Sequence, residues 1–480
     1  LNTGQAQNPD FRLLVIGAGP AGLAATYTAA KKGIKTRCFE KDRLVGGISR
    51  TVIYRDFRFD IGGHRFFTKY KDVDILWHEI LGDDFLVRPR LSRIYYKNKF
   101  FNYPLKPLNA LKGLGPLMSA KIMASFLKSR LFPFKEEISF EHWVTNRFGK
   151  KLYELFFKTY TEKVWGIPCT EISAEWAAQR IKGLSLSSAV IGAFFKSHSR
   201  KFTTLIEEFK YPRYGPGQMY ETMTEKAANF GASTHLGEAV SEIQREGNRL
   251  TGLKTRTEDG EVKEYRGDYI ISSMPISSLV LSMRPLPPEK VITAAKGLAY
   301  RSIICVNLLI DAEQKNPDTW VYVHSPEVAT GRIQFYKNWS PWMIPRENQS
   351  SLGMEYFCTE GDAVWRTGDK AMIEQAKNEV EKLRLIDHKD IFDAFVVRMP
   401  KCYPVYDSGY SGKLAVIREF LETIENLQPI GRNGMFKYNN ADHSILTALY
   451  AIRNLNGENL DIWGINTGQE YHEEKRISTS

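Results

Sequence analysis

No stretch of these 480 residues is apolar for long enough to span a membrane, and the first ten carry no apolar core of a secretion signal. The five cysteines (Cys38, Cys169, Cys305, Cys358 and Cys402) are odd in number, scattered and without C-x-x-C spacing. That pattern argues against a disulfide framework and a zinc site and suits a reducing compartment, so a cytoplasmic protein without a metal is expected. There is no internal repeat, low-complexity tract or evident linker, which sets aside solenoids and strings of separate domains. Acid is in short supply: 66 lysines and arginines face 55 aspartates and glutamates, a net charge of +11. Such an excess concentrates anionic ligands. The basic residues are nevertheless not grouped into a nucleic-acid motif, and no Ser/His/Asp triad stands out. What remains is an ordinary globular composition on a chain long enough for two or three domains.

The informative part begins at residues 14–22, Leu-Val-Ile-Gly-Ala-Gly-Pro-Ala-Gly. An apolar strand empties into Gly17, Gly19 and Gly22 and then into a helix-forming run. This order brings backbone N–H groups and the positive end of a helix to a pyrophosphate. Gly17 makes the turn, Gly19 admits the phosphates, and Gly22 lets helix and strand pack closely. Pro20 and Ala21 open the helix. A second strand, Lys-Thr-Arg-Cys-Phe, ends at Glu40 and Lys41, where a dinucleotide fold places its acid on the ribose hydroxyls. Two further glycine clusters follow, Gly46-Gly47 and Gly62-Gly63-His64. Three clusters in the first 65 residues suit FAD lying extended along one groove, with Gly62, Gly63 and His64 near the isoalloxazine. Alone, His64 would be a hydrogen-bonded core histidine; beside these glycines it is read as facing the flavin.

Further along, residues 76–200 show mostly helical patterning, and strand-like alternation returns over 201–276. More strand signals follow at Ile303–Ile310 and Trp320–Val323, and helical periodicity at 370–385 and Asp442–Leu455. The stretch Lys106–Lys128 has apolar residues at helical spacing with lysines between them. It suits a membrane surface or an amphipathic helix of a globular domain, and the second reading is preferred. We expect a discontinuous FAD-binding domain (11–75, 201–276 and 425–470), a mostly helical insertion contributing to the substrate domain (76–200), and a sheet-containing substrate domain (277–424).

The run Gly-Ala-Gly-Pro-Ala-Gly, Glu40 and Gly46-Gly47 resembles the FAD-dependent superfamily of amine oxidases, protoporphyrinogen oxidase, phytoene desaturases and UDP-galactopyranose mutases. Later motifs resemble the mutases in particular. These are Phe-Asp-Ile-Gly-Gly-His at 59–64, Phe-Asn-Tyr-Pro-Leu-Lys at 101–106, and Lys-Val-Trp-Gly-Ile-Pro at 163–168 with Arg180 beyond. Tyr-Pro-Arg-Tyr-Gly-Pro-Gly at 211–217, Arg332 ahead of Trp339, Gly431-Arg432 and Asn440-Ala-Asp-His-Ser444 complete the set. The resemblance implies an α/β fold in which a Rossmann-like FAD-binding domain of the GR2 type is interleaved with a mixed-sheet substrate domain and a helical insertion.

It also implies a flavin-dependent nucleotide-sugar isomerase, a pyranose/furanose mutase in polysaccharide biosynthesis. In that chemistry reduced flavin attacks the anomeric carbon through N5 and releases the nucleoside diphosphate. By this resemblance His64, Arg180 and Arg332 are catalytic. FAD would be held by the three glycine clusters with Pro20, Ala21, Glu40, Lys41 and His64, and by Val240, Gly431, Arg432, Asn440, Asp442, His443 and Ser444. The nucleotide sugar would be held by Tyr103, Lys106, Thr161, Trp165, Arg180, Arg332, Trp339, Tyr403 and Tyr438. Arginines suit the diphosphate because they bind its oxygens bidentately. The sequence departs from the mutases at Thr161 (asparagine there), Trp339 (tyrosine), Leu105 (an aromatic) and Lys106 (glutamine), all at sugar or base contacts. The alternative is an FAD-dependent oxidoreductase acting on a lipophilic or polyprenyl-linked substrate. A flavin-free relative of the Rab escort kind is opposed by the intact glycines and Glu40.

Overall fold

Arg12–Ile16 is the middle strand of a five-stranded parallel sheet, in the order Ser233–Leu236, Lys35–Glu40, Arg12–Ile16, Tyr269–Ser272 and Leu427–Pro429. The computed structural model describes residues 10–103, 105, 107–174, 176, 204–205, 207–467 and 474–475. A parallel sheet needs cover on both faces, and alternation along the strand decides what covers each. Leu13 and Val15 face a helical layer (Pro20–Lys31, Gly217–Asn229 and Ala441–Leu455) through Leu23, Met219 and Leu446. Leu14 and Ile16 face the opposite way, onto Ile243, Leu253 and Ile276. Two of those three belong to a four-stranded sheet, Val262–Arg266, Arg249–Thr257, Glu238–Glu246 and Met283–Arg284. The strands of the nucleotide sheet thus come from three separate stretches of chain.

The second large sheet has seven strands: Ile391–Pro404, Tyr300–Ile310, Ser350–Cys358, Arg332–Phe335, Trp320–Val323, Ser92–Tyr96 and Lys99–Asn102. It is mixed, with Trp320–Val323 parallel to Ser92–Tyr96 and its other pairings antiparallel. One face is apolar (Val321, Ile333, Leu352, Met354, Val306) and is closed by the helix Asp369–Lys382 through Met372, Ala376 and Val380. The other face carries Tyr322, Arg332, Gln334 and Glu355, a polar row that cannot be a simple core.

Residues 85–102 are extended, not helical. Phe85–Pro89 pairs with Glu208–Pro212, and Ser92–Tyr96 and Lys99–Asn102 form a hairpin on the edge of the seven-stranded sheet. The two-residue turn between them, Lys97-Asn98, has φ of 47° and 59°, the left-handed geometry that tight hairpins require. Helices follow at Pro107–Leu114 and Pro116–Leu131, broken by Gly115 at φ 85° and the proline behind it. A longer helix over 150–165 contains one wide turn, Glu154–Lys158, of π geometry. Among the described residues no helix is long and apolar enough to cross a membrane.

Candidate active site

The first glycine turn is closed by its own backbone. A Cβ on Gly22 would overlap the Gly17 carbonyl oxygen, and Gly17 itself sits at φ 91°. Gly46 N–H donates to the Ala18 carbonyl at 2.8 Å, which draws the second glycine pair onto the first. A Cβ on Gly47 would lie 3.2 Å from the Gly19 Cα. Glu40 is buried at the strand end, where its carboxylate accepts N–H bonds from Ala18 (2.8 Å) and Asp42 (3.1 Å). Burial raises the Glu40 pKa above the ordinary carboxylate range. Lys41 beside it is exposed, and Val240 packs half-buried against the four-stranded sheet's core. From the far end of the chain, Gly431 (φ 78°) stands where a Cβ would meet Ala21. Asn440 caps the helix Ala441–Leu455, with its N–H donating to His443 Nδ1 at 3.3 Å. Asp442, His443 and Ser444 are buried in that helix's first turn. A cradle without Cβ atoms, backed by a carboxylate and a helix N-terminus, has the donor set that an extended dinucleotide needs.

The third cluster is shaped by distant side chains. The loop Gly62-Gly63-His64 leaves the strand Phe57–Asp60 and lies on the polar face of the seven-stranded sheet. A Cβ on Gly62 would come within 3.3 Å of Arg332 Nη2, and one on Gly63 within 3.1 Å of the Trp339 ring. His64 donates or accepts at two points, Nε2 to the Ile61 carbonyl (2.9 Å) and Nδ1 to Ser49 Oγ (3.4 Å). Burial, with the positive charges of Arg432 and Arg332, pushes it down to about 4, so it is neutral at physiological pH.

Arg332 and Glu355 are register partners on adjacent strands and form a bidentate pair, Nε–Oε1 2.8 Å and Nη2–Oε2 2.5 Å. Gln334 donates to the same carboxylate at 2.7 Å. Around them stand phenols. Tyr160, just beyond the π turn, stacks on His324 (ring centroids 4.8 Å, 5°) and meets Tyr322 edge-on at 5.5 Å. Tyr103 lies 4.6 Å from Tyr322. Tyr403 stacks on Tyr438 at 5.5 Å, with the Arg432 guanidinium 5.3 and 4.9 Å from the two rings. Burial drives the Tyr160 hydroxyl well above its usual pKa and also raises that of Tyr403.

The structure therefore brings together His64, Tyr103, Arg332, Tyr403, Arg432 and Tyr438. Trp165 and Thr161 are buried on the helix behind them, Trp165 packing against Trp176 and Tyr438. Trp339 is 1% exposed, its indole N–H donates to the Thr319 carbonyl at 2.8 Å, and its ring lies under Gly63. Arg180 and Lys106 lie outside the described residues. Sequence reasoning missed Glu355, Gln334, Tyr160 and Tyr322. The signal for Glu355 was present: a carboxylate inside the apolar strand Leu-Gly-Met-Glu-Tyr-Phe-Cys demands a buried cation opposite.

A sequence profile of the flavin-containing amine oxidoreductases matches residues 20–398. The chain belongs to this family. Its cofactor is FAD, and the cradle described above fits it. The chain is 22% identical over 335 residues to an L-amino-acid oxidase of Sistrurus catenatus edwardsii, and 23% over 323 residues to one of Crotalus adamanteus. Each match covers 61% of the chain and 56% of the relative, so the chain spans about half the length of the curated relatives it matches. In fold it is similar to a crystal structure of reduced UDP-galactopyranose mutase (TM-score 0.80, 21% identity, 93% of this chain and 94% of that one). It is also similar to a putative protoporphyrinogen oxidase from Exiguobacterium sp. 255-15 (TM-score 0.69, 16% identity, 93% and 99%). At these identities the likeness is one of fold.

Proposed function

We propose that this flavoenzyme isomerises a nucleoside-diphosphate sugar, as a pyranose/furanose mutase does, with its cofactor reduced. One observation carries this reading: beside the loop Gly62–His64 stand two guanidiniums, Arg332 and Arg432, with phenols around Arg332, and among the described residues no side chain there is set as a general base. His64 is neutral and held by two hydrogen bonds, and the Glu355 carboxylate is taken by Arg332 and Gln334. Reduced FAD, when bound, would supply the nucleophile and consume no electrons over a turnover. The remaining guanidinium N–H groups of Arg332 and Arg432 favour negative charge as a diphosphate departs. Tyr160 and Tyr403, kept protonated by burial, donate hydrogen bonds to phosphate or sugar oxygens. Trp165 behind Tyr438 stiffens that wall.

The neutralisation of Arg332 by Glu355 favours a second reading. A guanidinium already paired attracts a dianion less than a free one, which suits oxidation of an uncharged, lipophilic substrate. The two are separated by incubating dithionite-reduced protein anaerobically with UDP-, GDP- and dTDP-hexopyranoses and chromatographing the nucleotide sugars. A new isomer of unchanged mass from one donor supports the mutase. No isomer from any donor, with peroxide formed in air from an amine or a polyprenyl-linked substrate, overturns it in favour of the oxidase.

A further inference from the structure

Between Asp84 and Glu136 the chain carries eleven lysines and arginines and no carboxylate side chain, an excess equal to the net charge of the whole protein. The helix Pro116–Leu131 lies inside this run, and the loop after it continues past the run's end through Glu136, Glu137 and Ile138. The helix buries Ile122, Phe126 and Ser129 against the insertion's core, yet its opposite face is Leu117, Ala120, Ala124, Leu127 and Leu131, all exposed. A helix apolar on both sides is ordinarily covered on both. The four most exposed large apolar side chains among the described residues, Leu117, Leu131, Phe132 and Ile138, all fall here, Phe132 at 77% and Leu131 at 74%.

Looseness does not explain this exposure. Asn146 clamps both backbone groups of Phe134, accepting its N–H and donating to its carbonyl, each at 2.9 Å, and His142 stacks on the Phe134 ring at 4.2 Å. Arg147 pairs with Glu137 at 2.6 Å on the same base. The tip 131–134 is thus held out by design of its anchor. Lys128, Arg130 and Lys135 flank it and Lys121 lies further back on the same helix, all exposed and in no ion pair among the described residues. Behind the tip opens a cleft of about 290 Å³ lined by Ser129, Arg130, Pro133, Glu137, Asn146 and Arg147, with two guanidiniums against one carboxylate.

We propose that this face docks on the surface of an anionic lipid bilayer, with Leu131 and Phe132 entering the acyl boundary and the four cations lying among the headgroups. Apolar anchors flanked by Lys121, Lys128, Arg130 and Lys135, against Glu136 and a Glu137 already paired with Arg147, leave an excess of positive charge that complements that partner, whereas the face of a second copy would bring the same positive charge against itself. The proposal stands apart from the reaction assigned above.

The test sediments the FAD-loaded protein with vesicles of phosphatidylcholine alone or mixed equally with phosphatidylglycerol. Binding is expected to the mixed vesicles, at least about tenfold weaker for Leu131→Ser/Phe132→Ser. It should be about fivefold weaker for each of Lys121→Gln and Lys128→Gln. Flavin absorbance and unfolding midpoint unchanged in the variants show that the fold is intact. Wild type staying in the supernatant with both vesicles overturns the proposal, as does wild-type binding by Leu131→Ser/Phe132→Ser. A dimer in sedimentation velocity that this variant dissolves also overturns it, assigning the face to a second copy.

Discussion

At Gly22 an added side chain would strike the Gly17 carbonyl in the same turn; at Gly62 and Gly63 it would meet Arg332, Glu355, Gln334 and Trp339, which arrive from strands and a helix far along the chain. Both loops are short and glycine-rich. At Gly22 the first keeps its shape through backbone against backbone within six residues, and only at Gly17 does a distant group, Ser273 Oγ, close on it. The second borrows its shape from a buried ion pair and a buried indole. The first is therefore rigid wherever the fold exists, and the second can be loosened from a distance.

The difference can be broken most severely at Gly22. Gly22→Val is expected to yield colourless protein, destabilised by at least about 3 kcal/mol in a denaturant melt. No second side-chain change should restore it, because the obstacle is a carbonyl. Next comes Glu355→Gln, which leaves the Arg332 charge buried and uncompensated and should cost about 3 kcal/mol in urea unfolding. Arg332→Gln in the same chain should recover most of that loss, and a double variant no more stable than the single would show that the pair does not hold the loop.

A smaller effect is set by pH. His64 falls from its ordinary value near 6.5 to about 4 in the folded protein, so the folded state binds fewer protons between those values. Its contribution is fully present above pH 6.5 and is lost as pH falls through that window, by up to about 1.4 kcal/mol per pH unit. His64→Gln should flatten this part of the stability profile, and an unchanged slope would assign it to other groups. The smallest change sharpens the comparison. Gly63→Ala presses on the Trp339 ring and should cost about 1 kcal/mol. Combining it with Trp339→Phe should cost less than the two separately, a coupling that a double-mutant cycle reads directly.

How far the sequence reached follows the same line. Gly17, Gly19, Gly22 and Glu40 were legible because strand, turn and helix are adjacent in the chain and the chemistry is backbone chemistry. The last helix, read at Asp442–Leu455 from its periodicity, spans Ala441–Leu455 with Asn440 at its cap. Residues 85–102 were misread because three short aromatic strands, each too brief to show a period, sit beside long helical patterns. The burial of Trp339 was not legible, because an indole in sequence looks the same whether it lines a cavity or fills a core. Its donor went to the Thr319 carbonyl, a partner that exists only once the sheet has formed.

By itself, then, the sequence determined the glycine-rich turn between the first strand and helix and the alternation that gives each strand two unlike faces, since both depend on neighbours along the chain. Only the tertiary structure decided that Arg332 meets Glu355, that Tyr160 and Tyr322 join Tyr403 and Tyr438 around Arg332, and that Leu131 and Phe132 remain uncovered. Those outcomes depend on strand register and on which helix packs over which sheet, and neither is written in local spacing.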